Sequence, residues 1–452
     1  MKKVLSVLIF LIFALTSVTN QLQFSLISDN LIPIRIVLVI FLILSGGYFI
    51  YREKANSLKY IWSQLLKDRV LLVGTLLFIW RVLTVLVVGN YSSGLPMLIF
   101  WASILAFYVL FNRFSNVKAA TYGLYLSVAV SVFIAIYQTV SFVGWGIQRF
   151  DLWGWQFPDG FRVPGLMLDS NHYGIFMVGG FFIISLYLLL KKKYLWTIIC
   201  AFLTIGTYSL SSSRSALIGL LVGGLVTMVI LALRRQYKVL VIFAVALGLG
   251  LTSGTAISKV IDIYTTNFLK TSIILHQEVG SKTAAKVADT LQNSNSESIQ
   301  FEGAFNFLNN LLPSRVKRVF DSSAKSHLAM VEASVKLGLR YPVFGVGYGN
   351  FSTGLKKESD IYGPASQFDP RGLSMPKFPS HTLWGEQLAE TGIVGLALFT
   401  ILVILMFIKL IKKPGISGAL LAGLWIAFLI FAIFYSANEE FYWLVPFLGI
   451  LL

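Results

Sequence analysis

An all-α polytopic membrane protein, with about twelve transmembrane helices and one large extracytoplasmic loop domain, is the fold class that three observations predict. Of the 452 residues, 56% are apolar and 13% are charged, against about 25% charged in soluble domains. The apolar residues collect in runs close to the ~20 residues that a bilayer-crossing helix needs. The Lys and Arg residues fall in alternate loops between those runs, the bias that marks cytoplasmic loops.

Twelve runs are read, near residues 4–20, 32–50, 70–88, 95–111, 119–143, 173–190, 194–210, 215–233, 239–256, 382–408, 416–435 and 440–452. The first begins MKKVLSVLIFLIFALTS, with the basic start and apolar core of a secretory signal. Thr19-Asn20-Gln21 offers no small-residue cleavage site, so the run is read as a retained helix. Lys2 and Lys3 and the loops at 51–69, 113–118, 191–193, 234–238 and 409–413 carry eighteen Lys and Arg. The alternate short loops carry four: Arg35, Arg149, Arg162 and Arg214. Both termini are therefore expected inside and the loop 257–381 outside. The domains expected are 1–256 with helices one to nine, 257–381 as the extracytoplasmic domain, and 382–452 with helices ten to twelve.

The net charge of +17 follows from this anchoring pattern and calls for no nucleic acid; the remainder is available to anionic lipids and substrates. The lone Cys200 excludes an internal disulfide and a cysteine-based metal site. Arg81, in LLFIWRVLTVL, stands inside a span, where a charge is costly and faces the bundle interior or a watery cavity. It is expected to meet an anionic substrate, to pair with an acid, or to snorkel.

The outer loop 144–172 mixes Trp145, Trp153, Trp155, Phe157 and Phe161 with Arg149, Asp151, Asp159 and Arg162. Its aromatics read as interfacial anchors. Arg162, Asn171 and His172 stand just before the sixth helix, and His172 reads first as a helix-start residue and second as a ligand or base. The loop TYSLSSSRSAL at 207–217 opens the eighth helix. A helix N-terminus presents free N–H groups and partial positive charge. Ser213 and Arg214 there make a phosphate site, against the simpler reading of serine capping.

The loop 257–381 holds 14 basic and 10 acidic residues. Residues 280–300 are polar, FEGAFNFLNNLL at 301–312 reads as a membrane-surface helix, and AKSHLAMVEASVKLGL at 324–339 has helical spacing that ends before Tyr341-Pro342. FGVGYGNF at 344–351 is a glycine-rich turn, not a dinucleotide fingerprint. His276 and His327 read as solvated surface residues. At the border with the tenth helix comes PSHTLWGEQLAETGIVG at 379–395, where His381 stands between Ser380 and Glu386 at the mouth of a span.

Three stretches together resemble one family: FRVPGLMLDSNHYG at 161–174, SSSRSALIGLL at 211–221, and YPVFGVGYGNF through HTLWGEQLAETGIVGL at 341–396. They are similar to the O-antigen ligase and O-antigen polymerase superfamily of bacterial envelope glycosyltransferases. The ligase pattern is His, a small polar residue, nine residues, Gly, two residues, Gly. Here it is His381, Thr382, Leu383 to Thr391, Gly392 and Gly395, with Thr382 where Asn, Ser or Gln is usual.

The resemblance implies a fold of the membrane glycosyltransferase C type, in the inner membrane with the active site on the periplasmic or extracellular side. It implies a glycan donor on an undecaprenyl-pyrophosphate carrier. The acceptor would be a sugar hydroxyl on a lipid-linked repeat unit or on lipid A core. It carries pyrophosphate binding onto Arg162 and Arg214, with Arg340 as a third contact, and action on the acceptor onto His381. Ser213, Asn171, His172 and Glu386 are supporting candidates.

The chemistry agrees with those assignments. Displacing an anomeric carbon from a pyrophosphate needs the leaving charge stabilised, which Arg forks do. It also needs a proton taken from the acceptor, which a His of ordinary pKa near 6.5 can do. No paired acids accompany the Arg motifs, so no metal and no cofactor are expected, although Asp159 and Asp169 flank Arg162. The product of direct displacement is inverted. Polymerase is preferred over ligase on Thr382. A polysaccharide or lipid transporter is a rival reading, for which Arg81 speaks, but no internal repeat appears. A peptidoglycan-type polymerase is another rival, with Glu386 or Glu390 as its acid.

Overall fold

The computed structural model describes residues 1–17, 33–53, 56–114, 116–145, 149–150, 155–156, 163–167, 170–278, 314–366, 380–436 and 444. The helices in chain order are α1 (Lys2–Ala14), α2 (Pro33–Glu53), α3 (Ser57–Lys67), α4 (Arg69–Val88), α5 (Tyr91–Phe114) and α6 (Val117–Trp145). After them come α7 (Ser170–Leu190), α8 (Tyr194–Tyr208), α9 (Arg214–Leu233) and α10 (Tyr237–Glu278). The last are α11 (Ser314–Arg340), α12 (Phe351–Lys357), α13 (Ser359–Ser366), α14 (Leu383–Ile411) and α15 (Gly415–Ile433). Between α6 and α7 a two-stranded ribbon pairs Arg149 with Gln156 and Phe150 with Trp155, antiparallel.

Among the described residues ten helices are long and apolar enough to cross a membrane, and the chain is an all-α polytopic membrane protein. They match ten of the twelve expected runs. The run 4–20 begins as the 13-residue α1, and the run 440–452 lies almost wholly outside the described residues.

Two elements differ from expectation. α10 does not stop near 256 but runs on to Glu278, 42 residues in all. The stretch GLTSGTAISK ends the apolar run without a proline, so hydropathy changes there while helical hydrogen bonding does not. α3 lies in the loop 51–69, which stands out in the sequence by its charge alone. It exposes Trp62 and Leu66 beside Lys59 and Lys67, the composition of an interfacial helix.

Loops expected on one side meet one another. Arg113 pairs with Glu53 at 2.7 Å. Lys409 pairs with Asp68 at 2.7 Å, and Tyr108 donates to the same carboxylate at 2.8 Å. Arg234 donates to the carbonyls of Ile411 and Gly415. The segments 163–167, 209–214, 380–382 and 434–436 meet at the other end of the bundle, directly or through the first turns of α7.

Small residues set one close helix pair. In lipid, helices associate through small residues that let backbones approach. A Cβ on Gly219 would stand 2.4 Å from Ala427 O, and one on Gly223 2.4 Å from Gly423 O. α9 and α15 therefore run antiparallel in contact, which sets the start of α9 level with the exit of α15.

α14 is two helices in one. Gly392 has φ 67° and ψ −170°, a conformation open essentially to glycine alone. The backbone groups freed at the break are taken by neighbours. Val346 N donates to Ala389 O at 2.9 Å, and Ile393 N donates to Pro342 O at 2.8 Å. Trp80 Nε1 donates to Thr391 O at 2.9 Å, its ring stacked on Phe344 at 5.2 Å. The glycine-rich turn after α11 thus plugs the broken helix, which is the tolerated way to interrupt a helix at membrane depth.

Candidate functional site

The site is built from the first half of α14 outwards. Thr382 caps that helix, its side chain accepting from Gly385 N at 3.4 Å; a hydroxyl is one of the groups that suit this position. Ser380 Oγ stands 2.7 Å from Thr382 O and accepts from Thr382 N at 3.3 Å. The clasp leaves His381 with φ 57°, left-handed backbone that a non-glycine residue adopts only when its surroundings impose it. The His381 side chain is half-buried. Glu386, one turn into the helix, lies 3.1 Å from Ser380 Oγ and accepts from Ser436 Oγ at 2.9 Å.

His327 is where the reading of the sequence is corrected. It is not a solvated surface residue: its ring packs on His381, centroids 4.2 Å apart and planes at 39°. Its Nδ1 is 3.1 Å from Phe434 O. His327 lies on the same face of α11 as Ser334 and Gly338. A Cβ on Gly385 would stand 2.9 Å from Ser334 Cβ, and one on Gly338 would stand 2.5 Å from Leu388 Cγ. That close seam along α14 carries His327 to His381. His276 falls in the last turn of α10.

The exit of α15 joins the parts. Phe434 O meets His327, the Tyr435 ring meets His172 edge-on at 5.1 Å, and Ser436 Oγ meets Ser380 Oγ at 3.1 Å. Nothing in the sequence singles out Phe434, Tyr435 and Ser436. They read there as the end of an apolar run, and no local pattern marks them. His172 is 7% exposed, in the first turn of α7 with Asn171, and packs as a helix-start residue.

The serine turn lies beside α7. A Cβ on Gly174 would stand 2.8 Å from Ser213 Cβ and 3.0 Å from Ser211 Oγ. Much of the serine-rich segment serves local backbone: Ser209 Oγ donates to Gly206 O at 2.6 Å, and Ser211 Oγ accepts from Ser213 N at 3.2 Å. Ser213 is the N-cap of α9 without a side-chain cap bond, its Oγ 3.4 Å from Ser215 Oγ. Arg214 is the first residue of α9 and half-buried. Arg162, Asp159 and Asp169 lie outside the described residues. Val163 N, however, donates to Leu210 O at 3.0 Å, so the chain just after Arg162 runs beside the turn that leads to Arg214. Gln138 holds this segment from α6, its amide bonded to both N and O of Gly165.

Arg340 stands apart. It donates to both oxygens of Asp360, at 2.9 and 2.6 Å, and to Glu358; Tyr341 donates to Glu358 at 2.6 Å. These bonds hold both carboxyls below their ordinary range, Tyr341 and then Arg340 acting on Glu358, and Arg340 on Asp360. Thirteen residues separate it from His327 on one helix, about 20 Å at 1.5 Å per residue. Arg340 therefore does not join the His381 cluster.

Arg81 is fully enclosed and neither snorkels nor opens on the cluster. It donates to Gln387 Oε1 at 2.6 Å, its guanidinium 3.9 Å over the Trp101 ring and 4.4 Å over that of Tyr348. Glu390, on the next turn, is buried and accepts from Phe351 N at 3.0 Å.

A comparison with the curated proteins finds no match. Residues 198–400 match the family model described as O-antigen ligase. This span runs from α8 past the break in α14 and takes in Ser213, Arg214, His327, Arg340, His381 and Glu386. Residues 198–400 of this multi-pass membrane protein are thus similar to the O-antigen ligase family.

Proposed function

We propose that this protein moves a glycan from an undecaprenyl-pyrophosphate carrier to an acceptor sugar hydroxyl. It acts on the outer side of a bacterial cytoplasmic membrane, as a repeat-unit polymerase of O-antigen or capsule-like polysaccharide. The observation that carries this reading is the gathering of His381, the start of α9 and the chain after Arg162 at one end of the bundle. They meet through the exit of α15 and the first turn of α7.

In this reading His381 takes the proton of the acceptor hydroxyl as the oxygen attacks the anomeric carbon. Arg214, with Arg162, bears the charge that grows on the departing pyrophosphate. One displacement gives inversion, and no metal takes part. Ser213, Asn171, His172 and Glu386 hold the frame around these groups. The twelve-span layout with its active end outside, and the membrane glycosyltransferase C type of fold, belong to the same proposal. Ligation to a lipid A core sugar is the second reading, and the description of the matched family model favours it. Donor and chemistry are shared, and the acceptor alone differs.

The test is transfer by purified protein in detergent with EDTA present. A synthetic undecaprenyl-pyrophosphate repeat unit is supplied alone, then with a core-sugar acceptor. Ladders from the repeat unit alone are expected. His381→Ala should lower the rate by about 10²–10⁴-fold, and Arg214→Ala by about 10²–10³-fold. Product only with the core sugar would replace polymerase by ligase. Wild-type rates in both variants would overturn the assigned chemistry, and loss of transfer in EDTA restored by a divalent cation would overturn its metal independence.

A further inference from the structure

We infer that His327 is a positioning residue for His381: the close, tilted contact between the two rings fixes the plane of His381, and the exit of α15 anchors the pair. The inference rests on the reading of His381 as the group that takes the acceptor proton.

The geometry has three parts. The clasp of Ser380 on Thr382 throws His381 out of the helix line on left-handed backbone, and its ring meets that of His327 at 4.2 Å. His327 is in turn tied at Nδ1 to Phe434 O, at 3.1 Å. A carbonyl oxygen only accepts, so Nδ1 carries the hydrogen. That selects the Nδ1–H tautomer and fixes the rotation of the ring. Finally, the seam of Ser334 on Gly385 and Gly338 on Leu388 holds α11 in register with the first half of α14, so His327 cannot slide along it.

The pairing has a chemical consequence. The contact with the His327 ring holds the plane of the His381 ring as His381 takes the acceptor proton. Glu386 reaches the pair through Ser380 and Ser436, and His172 packs on Tyr435, the residue after Phe434. A ring fixed against His381 keeps it oriented for the acceptor, and misplacing a reacting group by about 1 Å can cost 10²-fold in rate.

The chain has 4 histidines, so selective ¹⁵N-histidine labelling of the whole protein in detergent gives a readable spectrum, assigned by single substitutions. A histidine with Nδ1–H bonded to a carbonyl is expected, and its signal should vanish in His327→Phe. The His381 ring signals should move in His327→Ala and in His327→Asn, and much less in His327→Phe, which keeps a ring against His381. In transfer assays His327→Ala and His327→Asn should lose about 10²-fold in kcat, with the donor KM little changed, and His327→Phe should recover most of that loss. If His327→Ala does not fold, His327→Asn and His327→Phe carry the comparison. Unmoved His381 signals, or wild-type kcat in His327→Asn, would overturn the positioning role. His381→Ala remaining inactive in that case would leave the proposed function standing. Wild-type transfer by His381→Ala would instead remove that function and the positioning role with it.

Discussion

The first half of α14, Leu383 to Thr391, has two ends built on opposite principles. At the inner end the helix breaks at Gly392, and Ala389 O, Thr391 O and Ile393 N are met by other elements. The glycine-rich turn supplies Pro342 O and Val346 N, α4 supplies Trp80, and Gln387 and two rings surround Arg81. At the outer end His381 is half-buried, strained and clasped by short polar side chains. The signature residues of one motif therefore play two different parts. Its glycines allow close packing, and its histidine stands half-buried on left-handed backbone at the rim. Strain is tolerated at the rim because the base beneath it is closed.

The largest effect expected from breaking this contrast is at Gly392. A side chain there would put Cβ 2.2 Å from Val343 O, in backbone that only glycine enters. Gly392→Ala should cost on the order of 3–4 kcal/mol, read as loss of monodisperse protein or a large fall in thermal midpoint in detergent. A normally folded variant would sink the account of the plugged break. Gln387→Leu comes next. It deprives the enclosed Arg81 of its hydrogen-bond acceptor and should cost about 1.5–3 kcal/mol, a midpoint several degrees lower, with the proposed transfer activity scaling only with folded protein. At the outer end His381→Gly should do the reverse, relieving the left-handed strain and raising the midpoint slightly while the proposed transfer is lost. A stability loss there larger than that of Gln387→Leu would mean that the rim, too, is part of the foundation.

The smallest effect expected is at the Arg340 clasp on the surface. Glu358 and Asp360 are held below their ordinary range. Their contribution is therefore fully present above the unfolded carboxylate range, near pH 4, and fades as pH falls through the lower folded values. Arg340→Ala should remove that acid dependence from the unfolding midpoint. It should leave transfer at pH 7 within about twofold of wild type, as exposed ion pairs contribute little. Loss of transfer on the scale of Arg214→Ala would return Arg340 to the pyrophosphate site.

Much of this molecule is legible residue by residue. The ten spans follow from apolar runs, the grouping of loops at each end from Lys and Arg, and the end of α11 from Tyr341-Pro342. His381, Arg214 and the glycine-rich turn stand out as motifs before any contact is known. The turn's purpose does not, since a run of glycines says that backbone comes close without saying to what. Arg340 shows the opposite failure: an arginine at a helix end looks available until Glu358 and Asp360 close on it from two short helices downstream.

The membrane class, the helical segments and the residue types on offer for chemistry are written in the chain itself. Each is encoded over one or two turns and selected by the bilayer or by local hydrogen bonding. The contact of His327 with His381, the tie that Phe434, Tyr435 and Ser436 make between three elements, and the meeting of Gln387 with Arg81 emerge only when the helices pack. Those meetings depend on which helix faces come together. That choice is the sum of many small contacts between distant segments, such as Gly219 on Ala427 and Gly338 on Leu388, and no single stretch of the chain carries it.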